Sequence, residues 1–337
     1  MTESSLDGQH KRVAAIDCGT NSLRLLIADI DPGHGTLADL RRRMEIVRLG
    51  QGVDATGRLA PEALARTFAM LGQYAEAIRE SGAEAVRLVA TSATRDASNA
   101  DEFRAGVQRI LGIEPEVATG SEEAYLSFSG ATAELTHAAP AAGQPEPPFL
   151  VVDVGGGSTE FVLGTGAADG GAADLAAIST DIGCVRLTER HLHDDPPASA
   201  QIAAAEADID AALDSAAACI PVGTARTLVG LAGSITTVTA LALGLTDYNA
   251  ERVHHARISA SRLHEVAAAL LSQNHQQRAA HRAIHPGRVD VIAAGALIAD
   301  RIVHRFGFPE LVASEHDILD GIAWSMVLGD TRTSARR

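Results

Sequence analysis

Two stretches of this chain share one unusual design, and that duplication limits its possible folds more than any other feature. Residues 13–30, VAAIDCGTNSLRLLIADI, are two apolar runs joined by Asp-Cys-Gly-Thr-Asn-Ser. Residues 149–164, FLVVDVGGGSTEFVLG, repeat the scheme around three consecutive glycines. An offset of 136 lays Asp17 on Asp153, Gly19 on Gly155 and Ser22 on Ser158, with Leu25 and Ile27 on Phe161 and Leu163. Each copy reads as strand, Asp-x-Gly turn, strand. Periods of about 20–50 residues mark solenoids, and a single copy at this distance does not. It implies two similar domains facing each other.

Glycine in a regular element is worse than alanine by roughly 0.5–1 kcal/mol, so three in a row need a use. Gly-rich turns after a strand bring backbone N–H groups within reach of an anion. A P-loop would need GxxxxGK[ST], and the chain has no Gly-Lys-Ser/Thr. A dinucleotide fold would need GxGxxG opening directly into a helix. Here Thr159 to Leu163 continue as strand. What remains is a loop between antiparallel strands in both domains, each with an acidic residue just before it. A phosphate chain can lie between two such loops, the aspartates holding a hydrated divalent cation against it. Mg²⁺ favours one or two carboxylates, several waters and substrate oxygens at about 2.0–2.1 Å.

The rest of the composition is compatible with that reading. A chain of 337 residues can form two domains with a sizeable core. No apolar run approaches the roughly 20 residues that span a bilayer. The start, MTESSLDGQHKR, lacks the apolar core of a signal peptide. Residues 1–11 are read as a disordered lead-in and the protein as cytoplasmic, with no membrane partner. A net charge of −15 disfavours nucleic acid as a partner. It leaves an anionic ligand open, because screening confines the surface field to about 8–10 Å. Cys18, Cys184 and Cys219 form no CxxC pair and read as buried free thiols.

Further strands are expected at 44–49, 85–90 and near 175–180. A helix over 61–81 follows from Leu64, Phe68, Leu71 and Ile78 at helical spacing. Others are expected over 98–111, opening after Ser98 or Asn99, and from Ser121, with acids in its first turn. The second half of 131–149 reads as a surface loop and 164–174 as a hairpin tip. DIGCVRLTER and HLHDDPPAS read as a turn and connector. Residues 200–219 make an Ala-rich helix; 229–243 read as strand, tight Gly-Ser turn and helix. Helices near 260–273, 288–306 and 316–329 close the chain. Strands first and helices later, twice over, describe an α/β protein.

These motifs carry a resemblance. AAIDCGTNSLRLLIAD and VVDVGGGSTEFVLG are similar to the two phosphate motifs of the actin, sugar kinase and heat-shock chaperone superfamily. GTNS, GGGSTE, ATSATRDASN (90–99), GSEEAYL (120–126), LAGSITTVTALAL and PGRVDVIAAGALIAD narrow it to the exopolyphosphatase / guanosine pentaphosphate phosphatase family. The similarity runs over nearly all of 12–328, in the family's short two-domain form. It implies two ribonuclease H-like (actin-like ATPase superfamily) domains with the active site in the cleft between them. The expected division is 12–123 plus about 313–330, and 124–312. It also implies Mg²⁺-dependent hydrolysis of terminal phosphate from inorganic polyphosphate, or of the 5′ γ-phosphate of guanosine pentaphosphate. An actin-like ATP-binding chaperone or filament protein is the alternative of another class. Family members are often dimers. One departure is ILDGIAW (318–324), where the family often has an Arg-Glu-Gly element.

By the resemblance, Glu123 is the catalytic base; alone, Glu122 and Glu123 would read as helix-stabilising acids worth about 0.3–1 kcal/mol. A solvated Glu is ionised at neutral pH, its pKa being about 4.3. Asp153 and Glu160 are the expected metal ligands, directly or through water, with Asp17 next, although Glu160 also fits an exposed strand edge. Gly155, Gly156, Gly157 and Ser158, with Thr20, Asn21 and Ser22, are expected to bind phosphate. So is Arg95, whose alternative is a surface ion pair with Asp96 or Asp101. Three further clusters read as solvated surface: HLHDD (191–195), Arg41 to Arg43, and RAAHRAIHPGR (278–288). The last would otherwise be a basic track for the distal end of a long polyanion.

Overall fold

The computed structural model describes residues 10–137, 144–166 and 175–328. Most of the expected lead-in, the hairpin tip and the middle of the Ala/Pro-rich loop lie outside these residues. The first part runs β1 (Lys11–Cys18), β2 (Ser22–Asp31), β3 (Thr36–Ile46), α1 (Val53–Thr56), α2 (Pro61–Ser81), β4 (Ala85–Ala90), α3 (Ser92–Asp96), α4 (Ala100–Leu111) and β5 (Glu116–Val117). Helix α5 (Gly120–His137) leads to β6 (Phe149–Val154), β7 (Thr159–Gly164), β8 (Ala176–Thr180), α6 (Cys184–His191), α7 (Ser199–Cys219), β9 (Thr227–Leu231) and α8 (Ala232–Ala242). The chain continues with α9 (Ala250–Val253), β10 (Arg257–Ser259), α10 (Ala260–Ser272), α11 (His275–Ala279), α12 (Ile292–Phe306), β11 (Glu310–Ala313) and α13 (Ile318–Leu328).

The duplication seen in the sequence is a duplication of topology. One sheet has the order β3-β2-β1-β4-β5, the other β8-β7-β6-β9-β11, with β10 added at its edge. In both, three antiparallel strands are followed by two parallel ones. The registers match as well: Asp17 pairs with Arg24 and Cys18 with Leu23, as Asp153 pairs with Glu160 and Val154 with Thr159. Both turns close with the same bond, Gly19 N–H to Ser22 O and Gly155 N–H to Ser158 O, each 3.0 Å.

Alternation along each strand sets the layers, because successive side chains leave opposite faces. Ala14, Ile16 and Cys18 pack with α2 and α4; Val13 and Ala15 pack on the other face with α13. Leu150, Val152 and Val154 face α6, α7, α10 and α12, whereas Phe149 and Val151 face α5. Helices α5 and α13 therefore pack against each other between the two sheets. Their close approach rests on glycines. A β-carbon at Gly130 would stand 1.9 Å from Asp317 O, and one at Gly321 2.0 Å from Leu126 O.

Three expectations are corrected. Strand β3 spans 36–46 rather than 44–49, because residues 47–50 turn away to brace the first loop: Val47 and Arg48 N–H donate to Asn21 O, Gly50 N–H to Thr20 O. DIGCVRLTER contains helix α6, whose first amides are held by the second loop: Cys184 N–H donates to Gly155 O, Val185 and Arg186 N–H to Gly156 O. Each hairpin loop is thus tied down by the segment that follows its third strand. Cys219 is exposed at the end of α7, while Cys18 and Cys184 are buried as expected. Among the described residues no helix is long and apolar enough to cross a membrane.

Candidate active site

The two hairpin turns face each other across one cavity. The first hairpin contributes Asp17, Thr20, Asn21 and Ser22; the second contributes Asp153, Gly155, Gly156 and Ser158. Glu123, in the first turn of α5, enters from the layer between the sheets.

The glycines have a reason that the sequence did not show. A β-carbon on Gly156 would lie 2.9 Å from Thr20 Cβ, and one on Gly157 would lie 2.7 Å from both Thr20 Oγ1 and Ser92 Oγ. Gly183, at the start of α6, would meet Gly156 O at 2.4 Å. Absence of side chains lets the two hairpins and α6 close on one another, besides opening backbone to a ligand. The Gly155 N–H is used by its own turn. A trans peptide points C=O and N–H in opposite directions, so carbonyls turned to α6 leave the Gly156 and Gly157 amides directed away from it. Gly157 does not line the main cavity; it sits behind it, beside Thr20 and Arg186.

Five carboxylates are drawn together: Asp17, Glu123, Asp153, Glu160 and Asp317, each no more than 7% exposed. Burial raises the pKa of Asp17, and burial then repulsion from Asp317 pushes Asp153 to about 6. Burial and the charge of Asp153 push Glu160 to about 7. Glu123 is pushed well up by burial and then by Glu160, against the pull of Arg95. The expectation of a solvated, freely ionised Glu123 is therefore corrected: this carboxyl is buried and needs nearby positive charge to hold its anion.

Part of that charge comes from Arg95. Its Nη1 donates to Glu123 Oε2 at 3.1 Å and to Ala118 O at 2.9 Å. It pairs with neither Asp96 nor Asp101; Asp96 is held by Arg186 at 2.6 Å. Arg95 does not itself line the cavity. Glu160 also stands behind it, buried and not at an exposed edge, its Oε1 accepting from Ser179 Oγ at 2.7 Å. Asp153 accepts from Ser127 Oγ at 2.7 Å.

The three expected metal ligands share the carboxylate cluster without all bringing an oxygen within 4.8 Å of one another, an arrangement that suits ligation partly through water. Asp17 and Asp153 face one another from opposed hairpins. The site still suits Mg²⁺. Asp17 Oδ1 is buried without a hydrogen-bond partner, the donors are hard oxygens, and two opposed carboxylates leave room for waters and substrate oxygens.

Several groups in the site were not singled out from the sequence. Arg24, partly buried, lies between Asp17, to which Nη2 is 2.6 Å, and Asp317. The offset of 136 places Arg24 on Glu160, a signal the sequence did contain. Asp317 immediately precedes ILDGIAW, so the divergent segment lies at the site; its Asp320 holds Arg42 at 2.5 Å. The β9–α8 turn brings Ala232, Gly233 and Ser234 to the cavity, Ala232 with φ 68°. That turn starts an 11-residue helix, whose N-terminus favours an anion.

A second cavity, of about 340 Å³, adjoins the first and shares Arg24, Ala232, Gly233 and Arg288 with it. Arg42, Arg43, Arg282 and His285 also line it. Two clusters read as solvated surface thus contribute cations to one concave wall, and Arg288 lies against Gly233, where a β-carbon would collide with its guanidinium. Arg278 turns away to Asp195 at 2.9 Å. The HLHDD tract is dispersed, His191 going to Asp208 at 2.8 Å and Asp195 to Arg278.

The chain is similar to several known proteins. The chain is 50% identical over 326 residues to Exopolyphosphatase 2 of Mycobacterium tuberculosis, covering 94% of this chain and 98% of that one. Among solved structures, an exopolyphosphatase-like protein superposes with TM-score 0.86 at 42% identity, covering 94% of this chain and 98% of its own. An Aquifex aeolicus Ppx/GppA family member superposes with TM-score 0.75 at 31% identity, with coverage of 94% and 98%. The profile of the Ppx/GppA phosphatase family matches residues 26–329. With its paired hairpins, its buried carboxylates and this match, the chain belongs to the Ppx/GppA phosphatase family.

Proposed function

We propose that this protein is an exopolyphosphatase, hydrolysing the terminal phosphoanhydride bond of inorganic polyphosphate in the cytoplasm. The observation that carries the reading is the cavity itself. Two hairpin loops, a helix N-terminus, Arg24 and Arg288 surround a space into which one buried glutamate, Glu123, projects. In this reading residues 12–123 with about 313–330 form one lobe and 124–312 the other.

Asp17 and Asp153 would hold Mg²⁺, which when bound supplies positive charge to the phosphate oxygens. The terminal phosphoryl group is held by backbone and hydroxyls of Thr20, Asn21 and Ser22 on one side and Gly156 and Ser158 on the other. Glu123 orients a water in line with the leaving oxygen and takes its proton; the transition state is loose, so positioning dominates. Arg95 keeps the Glu123 anion available and Glu160 braces the second hairpin through Ser179. Arg288 lies where the next phosphates would leave the first cavity, and the adjoining wall offers Arg42, Arg43 and Arg282 to the remainder. That arginine-lined second cavity favours a long polyanion; guanosine pentaphosphate, with one short phosphate chain and a base, is the second reading.

The test is phosphate release from polyphosphate of defined length, guanosine pentaphosphate and ATP, by the wild-type protein and Glu123→Gln. Polyphosphate should be the preferred substrate, and the variant should lose about 10²–10⁴ in kcat. Preference for guanosine pentaphosphate would establish the second reading. Full activity of Glu123→Gln would overturn the assignment of the base.

A further inference from the structure

Helices α10 and α12 pack side by side against the second sheet. Between them lies Asp300, 7% exposed, flanked by two histidines whose side chains are 60% and 50% exposed. Asp300 Oδ2 is 2.9 Å from His264 Nδ1, and Oδ1 is 3.0 Å from His304 Nδ1. The imidazole rings are 5.3 Å apart and inclined by 72°. Among the described residues this is the one set of three such side chains whose donor atoms all lie within 4.8 Å of one another.

A simple hydrogen-bonded clip does not account for the arrangement. His264 satisfies Oδ2, but Oδ1 is buried and makes no hydrogen bond, since His304 Nδ1 is directed to the Asp300 backbone carbonyl at 3.0 Å. Arg301 and Arg305, on the same helix, reach instead to Asp210 and Asp214 of α7. The carboxylate is thus left facing imidazoles. His264 Nδ1 faces Oδ2, and His304 Nδ1 stands 3.0 Å from both Oδ1 and the Asp300 carbonyl; binding a cation would move both ring protons to Nε2 and replace the His304 bond to that carbonyl. Two imidazoles and one carboxylate suit Zn²⁺ and other late first-row ions, whereas Mg²⁺ and Ca²⁺ prefer oxygen alone. The exposed rim leaves a position for water.

We propose that His264, Asp300 and His304 form a site for a late first-row divalent cation of the Zn²⁺ type, distinct from the phosphate site. It joins α10 to α12, the helix that starts four residues after Arg288. The site would therefore steady one wall of the arginine-lined cavity without taking part in the chemistry.

Co²⁺, a spectroscopic stand-in for Zn²⁺, and Zn²⁺ itself are titrated with Mg²⁺ in excess to occupy the carboxylate cavity. The protein carries Cys219→Ser, since Cys219 is an exposed thiol. That background is compared with His264→Ala and His304→Ala, both exposed positions whose loss leaves the core intact. One equivalent of Co²⁺ should bind with visible ligand-field bands, and Zn²⁺ should raise Tm. Loss of an outer-shell partner alone weakens a site about 10–100-fold, so each ligand variant should bind at least about 100-fold more weakly and lose the Tm response. Equal stoichiometry, spectra and Tm response in the background and both variants would overturn the site.

Discussion

Arg95 and Glu123 show how much a residue's partner decides its chemistry. Burial and the charges of Glu160 and Asp153 favour the protonated form of Glu123; the guanidinium 3.1 Å away opposes this. Arg95→Gln should therefore raise the Glu123 pKa further and move the acid limb of kcat/KM to higher pH, measured with saturating Mg²⁺. An unshifted limb would show that Arg95 does not control that proton. Asp153 and Glu160 make a second prediction, for the Mg²⁺-free protein. Their folded pKa values, about 6 and about 7, lie above their unfolded ones. The folded chain therefore binds more protons, and their stabilising contribution is full below about pH 4 and lost as pH rises through 6 to 7. In EDTA, Tm of the wild type should fall relative to Asp153→Asn across that window. Parallel curves for the two proteins would contradict it.

At the scale of elements, the fit between α5 and α13 has little tolerance. Gly130 faces the Asp317 carbonyl and Gly321 the Leu126 carbonyl, both backbone atoms that cannot rotate away. Gly130→Ala should therefore cost about 1–3 kcal/mol, read as a lower midpoint in urea. It should also reduce activity, because Glu123 starts α5 and Asp317, which holds Arg24, immediately precedes α13. Gly72 in α2 is the control, since no atom lies within 4 Å of the β-carbon it lacks. Gly72→Ala should gain up to about 1 kcal/mol from helix propensity. A harmless Gly130→Ala would mean that the two helices can separate freely.

Across the whole molecule, the net charge of −15 conceals an arginine-rich wall, with Glu315 and Asp317 also lining it, assembled from distant segments. Arg43 comes from β3 and Arg282 from the connection before α12, and both line the adjoining cavity without lining the first. Under the proposed function, Arg43→Ala with Arg282→Ala should raise KM severalfold for long polyphosphate and leave tripolyphosphate unaffected. The contacts are ionic, so rising salt should erase the difference. Equal KM changes for short and long chains would remove this wall from substrate binding. Arg282 is exposed beside Asp247 and Arg42 is engaged by Asp320, so Arg288, unlike them shared with the first cavity, should affect every chain length.

The sequence by itself determined the duplicated hairpins, the α/β class and the two turns that face the cavity. Local patterns suffice there: a strand–turn–strand with matched Asp, Gly and Ser is written in contiguous residues, and the chain repeats it. Sequence reading reached Glu123 only through resemblance, because a first-turn acid on a helix has an ordinary local explanation. Burial, partners and proton affinity were decided by the tertiary structure alone. Arg24 with Asp317, Arg95 with Glu123, and Arg42 and Arg43 with Arg288 are separated by tens to hundreds of residues. The packing of α5 on α13 and the closure of glycine on threonine bring them together. Desolvation and pairing act through space, and no local pattern along the chain records which charges will share a cavity.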